Sequence, residues 1–419
     1  MDHADSAGVQ TATLDEVITT VIMARVTDYF GFFVYGIASA IVFPRLFFPF
    51  LDPVSGTMAA FALFATAFLV RPFASIGARF VQARIGKVGK ITLALFILGT
   101  ATVAIGLLPG YDQIGWAAPA LLAALRVLQG VGLGGAWDGI TLQLQTAAPP
   151  GRKGIYAMVP QLGGPIGFIV AAALFYVLTG FLTEEEFISY GWRFAFFAVL
   201  AVNVVSLFAR IRLLQTDFGA GDGTMKPAPY IATIRTQWRP ILLSSMLPLA
   251  SYALFHMVTI FPLAYMLLYT DFDIDWILLL QLVGGTIAIL TVIASGVLAE
   301  RYSKSKILWA STAMIACLSL TLPLLSTLPS VYIVIGFAVL GFAQGQASAI
   351  VPNRYPPEYR YSGTALSTNL SWIVGAAFAP LVGLSLTAVF GLWAAALYLL
   401  SGVIVTLIAL LMRRNLTRH

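Results

Sequence analysis

The chain has 419 residues, 59% of them hydrophobic and only 10% charged, with a formal net charge of +6 and a mean hydropathy of +0.89. Soluble proteins carry roughly 25% charged residues, so this composition excludes a soluble enzyme or a disordered polyelectrolyte and requires a bilayer. The single cysteine, Cys317, lies in an apolar run and excludes an intrachain disulfide or a cysteine-rich metal site.

The leading segment MDHADSAGVQTATLDE is polar and acidic, with no basic stretch ahead of an apolar core. The first span is therefore expected to be retained, not cleaved as a signal peptide. Apolar stretches, each long enough to cross roughly 30 Å of hydrocarbon, then fall near 18–43, 56–78, 91–109, 116–146, 154–180, 193–213, 240–268, 276–299, 306–327, 330–352, 361–387 and 389–412. The expectation is an all-α membrane protein with twelve transmembrane helices.

Charges alternate between successive loops. Arg79, Arg84, Lys87 and Lys90, then Arg152 and Lys153, then Lys226, Arg235 and Arg239, then Arg301, Lys304 and Lys306, then Arg354 and Arg360, occupy one set. Asp52, Asp112, Glu184 to Glu186 and the triplet Asp271, Asp273, Asp275 occupy the other. Cytoplasmic loops carry the excess of Lys and Arg, which places both termini in the cytoplasm and argues against reading the net charge as a nucleic-acid footprint.

The second half repeats the first in order. ARIGKVGK (83–90) has a counterpart in ERYSKSK (300–306), LQG (128–130) in AQG (343–345), and PPGRKG (149–154) in PPEYRYSG (356–363). Gly296 and Glu300 stand in the second copy where Arg79 and Ala83 stand in the first. Two six-helix halves are expected: a cytoplasmic tail over 1–17, one half over 18–213, a cytoplasmic linker over 214–238, the second half over 239–412 and a tail over 413–419. Paired repeats with a site at the midplane follow the logic of transporters that alternate access. The run GVGLGG (130–135) lies inside an apolar span with no Lys-Ser/Thr after it, so it is read as close helix packing and not as a phosphate loop.

DYFGFFVYG (28–36), VFPRLFFP (42–49), DPVSGTMAAFALFATAFLVRP (52–72), RVLQGVGLGGAWDG (126–139), APPGRKGIYAMVPQLGGPIG (148–167) and YGWRFAFF (190–197) together resemble the major facilitator superfamily, and within it the metabolite:proton symporter group. The resemblance implies the major facilitator fold, a bacterial inner-membrane location and cargo such as organic acids, betaines or amino acids, usually moved with protons. Several acids usual in that pattern are absent here. The acid-aromatic-aromatic-Asp order reads Asp28, Tyr29, Phe30, Gly31; Gly-x-x-x-Asp-Arg reads Arg79 to Arg84 with Ala83 at the acid; Gly-Gly-Glu-Trp reads Gly134, Gly135, Ala136, Trp137. Arg25 stands where a small residue, commonly Asn, is usual.

Ionisable groups inside a span are costly and mark function. Counting 1.5 Å per residue, Arg25 and Asp28 reach roughly 10 to 17 Å depth, one turn apart, and Arg126 reaches a similar depth from the other side. The substrate-binding candidates are Arg25, Arg126, Tyr29, Tyr35, Trp137, Gln161, Tyr252, His256, Asn369 and Trp372, with the arginines fixing a carboxylate by charge-assisted hydrogen bonds. Asp28, Asp138 and His256 are the proton-coupling candidates, and Arg84, Glu300 and Arg301 the gating-loop candidates. A permanent ion pair of Asp28 with Arg25 or Arg126 is the structural alternative. Arg71, in an RP pair read as the end of a span, is expected to snorkel.

The expected function is secondary active transport of a small organic anion, a mono- or dicarboxylate, proton-linked and operating by alternating access. Exchange or uniport without proton coupling is the direct alternative, and a non-transporting receptor or assembly factor the more distant one. Catalytic and metal-ligand constellations are lacking, since the three histidines are His3, His256 and His419. An enzyme, a cofactor and a metal are therefore not expected. Partners are the substrate anion, a proton or exchanged anion, and the lipid bilayer, around a monomer.

Overall fold

The computed structural model describes residues 13–136, 139–146, 148–215, 228–347 and 349–416, and their regular structure is helical, with no strand among them. Helix α1 (Leu14–Ile41) starts with a capping box in which the Thr13 hydroxyl accepts from the Glu16 N–H and the Glu16 carboxylate accepts from the Thr13 N–H. Two of the unsatisfied donors of the first turn are thereby paired. The next helix, Pro53–Leu107, has 55 residues, too many for one crossing. It breaks at Gly86, whose φ of 78° and ψ of 176° suit glycine alone, and so supplies α2 (53–85) and α3 (87–107). Asp52 caps its start by accepting from the Val54 and Ser55 N–H groups, and the bonds from Ser55 chiefly hold its carboxyl below the usual carboxylate range.

Helix α4 (Ala117–Gly135) resumes as Ile140–Thr146. Helix α5 (Lys153–Phe181) contains a tighter 3-10 turn at Val159–Leu162, and α6 is Arg193–Gln215. In the second half, α7 is built from Tyr230–Met246, Leu249–Thr259 and Phe261–Tyr269, with Pro248 and Pro262 at the joints. Then follow α8 (Ile274–Tyr302), α9 (Lys304–Leu320), α10 (Pro329–Ala347), α11 (Pro357–Phe390) and α12 (Leu392–Leu416). α11 carries a π-helical segment at Trp372–Ala377.

Ten helices are long and apolar enough to cross a membrane. One of them is the 55-residue pair α2 and α3. With α9, which is 17 residues long, the crossings come to twelve. Two expectations need adjustment. The second span does not end at Arg71-Pro72, because the helix continues through Pro72 for several further turns. Helix also begins at Tyr230, inside the stretch assigned from sequence to the linker.

In lipid the driving force for helix association is close packing, which favours small residues at the crossings. Three such contacts recur at four-residue spacing. A Cβ on Gly130 or Gly134 of α4 would fall 2.9 Å from Ala67 O or 2.5 Å from Arg71 O of α2. A Cβ on Gly341 or Gly345 of α10 would meet Ala288 O at 2.3 Å or Ser295 Oγ at 2.0 Å on α8. These two contacts are counterparts in the two halves, which accounts for the glycine run. Gly163 and Gly167 of α5 abut α1, where a Cβ on Gly167 would lie 2.8 Å from Val26 O and 2.9 Å from Phe30 N.

Backbone atoms cannot rotate aside, so Gly167→Val is predicted to lower stability by about 1–3 kcal/mol, read as a fall in melting temperature in detergent. Gly180→Ala, with nothing within 4 Å of the new methyl, is predicted to leave the melt unchanged.

Candidate functional site

The two halves meet around a cavity of about 80 Å³ on the side of the molecule that carries the linker. Helix α1 gives it Arg25, Asp28, Tyr29 and Phe32; α2 gives Phe68 and Arg71; α6 gives Arg210; α11 gives Trp372. A much larger vestibule of about 870 Å³, lined by residues such as Pro44, Arg45, Leu182, Glu184 and Phe272, lies at the opposite face.

Asp28 is held from two sides. Arg210 Nη2 donates to its Oδ1 at 2.5 Å, and Arg25 Nη1 to its Oδ2 at 3.4 Å. Arg210, 2% exposed, also donates from Nη2 to Ala24 O at 2.9 Å and from Nε to Ser206 Oγ at 3.2 Å, so α1 and α6 are tied together around the carboxylate. Arg25 lies over the Tyr29 ring at 5.0 Å and donates to its hydroxyl at 3.3 Å. Arg71 faces the same space, in the electrostatic range of Arg25, Asp28, Tyr29 and Tyr252. Among the described residues its guanidinium makes no hydrogen bond and no ion pair. Among the described residues lining this wall, three guanidinium groups stand against one carboxylate, a sum of +2.

Aromatic rings from both halves separate the cavity from the opposite face. Trp372 stacks on Phe68 at 5.7 Å and takes the Tyr252 ring edge-on at 4.9 Å. Phe32, Phe33, Phe64 and Phe255 extend the layer. His256 sits within it, fully buried, 5.1 Å from Phe32 and 5.2 Å from Phe64. Its Nδ1 lies 3.4 Å from Thr259 Oγ1 and its Nε2 has no partner. His256, a candidate from sequence for substrate contact and proton relay, is packed among these rings and is not among the residues lining the cavity.

Arg126, a substrate-binding candidate from sequence, does not line this cavity. It is 2% exposed inside the first half, where Nη2 and Nε donate to Phe64 O at 2.9 and 3.3 Å and Nη1 to Gln129 Oε1 at 2.9 Å. Its guanidinium carbon stands 3.8 Å from the centre of the Tyr35 ring, which takes Tyr35 out of the site as well. The depth inferred from sequence does not fix which way the side chain turns about the helix axis. Here it turns toward α2 and away from the second half.

Gln161 lines a separate small cleft with Phe255 and Gln344, beyond Tyr29. Asn369 is buried in α11 one turn before Trp372. Trp137 and Asp138 lie outside the described residues. Of the gating candidates, Glu300 Oε1 accepts from the N–H groups of Gly154 and Ile155 at the start of α5. Arg84 and Arg301 are exposed, and among the described residues Glu300 alone of the three is bonded to the backbone of the other half.

Comparison with known proteins follows this geometry. Residues 12–369 match the family model described as Major Facilitator Superfamily. The chain belongs to the major facilitator superfamily. The transporter is 33% identical to "Inner membrane metabolite transport protein YhjE" of Escherichia coli (strain K12), over 97% of this chain and 95% of that protein. It is 29% identical to a "Shikimate transporter" of the same strain, over 94% and 93%. Its fold matches the crystal structure of a D-xylose-proton symporter with a TM-score of 0.71 at 14% identity, over 95% of this chain and 97% of that one. The transporter is thus a multi-pass membrane carrier of metabolites and not an enzyme.

Of the candidates from sequence, Arg25, Asp28, Tyr29 and Trp372 line this cavity and Tyr252 packs on Trp372, while Arg210 and Arg71 were not among the candidates. Both had a signal. Asn203, Ser206 and Arg210 are buried polar residues at helical spacing on one face of α6. Arg71 continues the face of α2 that carries Phe64 and Phe68.

Removing the Arg126 side chain leaves Phe64 O and Gln129 without their donor. Arg126→Met is predicted to cost about 1–3 kcal/mol of stability while changing ligand affinity less than about threefold. A thermal melt and a ligand titration on the same preparation separate the two effects.

Proposed function

We propose that the transporter carries a small organic anion, a mono- or dicarboxylate, across the bacterial cytoplasmic membrane by alternating access. The observation that carries this reading is Arg71, a guanidinium facing the central cavity without a partner, on a wall of net positive charge. A buried charge left unpaired is expensive. A carboxylate between Arg71 and Arg25 supplies the missing anion through charge-assisted hydrogen bonds, and Tyr29, Phe68 and Trp372 offer ring faces to its carbon frame. The alternation of basic and acidic loops supports a cytoplasmic linker side and cytoplasmic termini.

Proton linkage runs through Asp28 in this reading. When a substrate carboxylate takes over Arg25, Asp28 loses one of two cationic partners, and taking up a proton restores the balance in a low-dielectric interior. Exchange without protons is the second reading, and one observation favours it. Arg210 is itself anchored by Ala24 O and Ser206 Oγ and stays on Asp28 whatever Arg25 does.

Arg71→Gln is predicted to weaken binding of the transported carboxylate by about tenfold or more, since a hydrogen bond to a charged group contributes about 1.5–3 kcal/mol. A thermal-shift screen of mono- and dicarboxylates on both proteins reads this directly, and equal stabilisation of both by the same acid overturns the site. In proteoliposomes, Asp28→Asn is predicted to abolish the response of uptake to an imposed pH gradient while counterflow persists. Wild-type uptake that ignores the gradient decides for exchange.

A further inference from the structure

The two halves are fastened across the linker side by two arrangements that their internal repeat makes comparable. At the end of α8, Glu300 reaches the first N–H groups of α5, accepting from Ile155 N at 3.0 Å and also from Gly154 N. Gln346 of α10 adds a bond from Nε2 to Gly154 O at 3.0 Å. Position 296, one turn before Glu300, must be glycine for α5 to come this close, since a Cβ there would lie 2.5 Å from Met158 Cγ.

The corresponding end of α2 holds neither residue: Arg79 replaces the glycine and Ala83 the acid. The contact is nevertheless made, by different atoms. Arg79 Nη1 donates to Ala228 O at 2.9 Å. The same carbonyl accepts from Ser362 Oγ on the second turn of α11 at 2.6 Å, and Ala228 N donates to Glu358 O on its first turn at 3.0 Å. Arg79 also lies over the Tyr230 ring, 5.8 Å from its centre. The peptide of Ala228, at the end of the linker, is therefore bonded at once to α2 of the first half and to α11 of the second.

We infer that Ala228 is the first half's latch, its carbonyl holding Arg79 and Ser362 and its N–H holding Glu358 O, which closes the linker side and takes the place of the acid missing at position 83. It acts by geometry. Opening the linker side separates the ends of α2 and α11, and Ala228 O then keeps only one of its two donors. The bond from Arg79 is charge-assisted and Glu300 accepts two N–H groups, so the two latches are of comparable strength and break together.

The test uses the full chain in membrane vesicles, with Cys317→Ser and a reporter Thr141→Cys on the cavity wall, labelled by an impermeant maleimide from the linker side. Arg79→Gly is expected to raise the labelling rate by about tenfold, and Ala83→Glu added to it, which copies the Gly296/Glu300 arrangement, to return the rate to the parent value. Ser362→Ala, which removes the second donor without changing charge, is expected to raise the rate by about threefold and keeps the test open if Arg79→Gly does not fold. Unchanged labelling in Arg79→Gly, or in Ser362→Ala where Arg79→Gly is not obtained, while Glu300→Gln raises it, overturns the inference.

Discussion

A carboxylate placed inside a membrane protein needs cations, and the disposition of the cations around Asp28 organises this molecule. Arg210 brings α6 to α1, Arg25 donates to the same carboxylate and to the Tyr29 hydroxyl, and both stand on the wall of a space between the halves. Among the described lining residues, one acid stands against three arginines.

The backbone around that space is irregular in a consistent way. The 3-10 turn of α5 lies directly before Gly163, where a Cβ would be 2.3 Å from Arg25 Cβ. The joints of α7 flank the segment that bears Tyr252 and His256, and the π-helical segment of α11 begins at Trp372. Irregular helix at mid-membrane depth is tolerated where it is buried in protein or lines a cavity. Each break here aims a ring or a charge at the meeting place of the two halves.

Much of this was legible in the sequence, for reasons that particular residues make plain. Hydropathy and the alternation of charged loops give twelve spans because the bilayer imposes length and polarity directly. Asp28 and Arg25 were visible because a charge one turn from another in an apolar run has few explanations. Arg126 was equally visible, yet its rotation toward Phe64 O depends on how α4 packs against α2, which no local pattern encodes. Arg71 was set aside because Pro72 ordinarily marks a helix end, whereas α2 runs through it. Arg210 was not singled out, although the buried stripe it shares with Asn203 and Ser206 marks it. Ala228 carries its bonds through the backbone, and its side chain gives no hint of them.

The aromatic layer has an electrical meaning as well as a steric one. Spaces of about 80 and 870 Å³ lie on either side of it, each large enough for water. Water carries the potential of its own compartment inward, so the voltage across the bilayer falls mainly over the few rings between Phe32, Phe68, Phe255 and Trp372, and not over the full hydrocarbon thickness. Moving one elementary charge through that drop is worth about 2.3 kcal/mol per 100 mV. The work of moving a charge against the membrane potential is thereby concentrated in the single step in which the rings part.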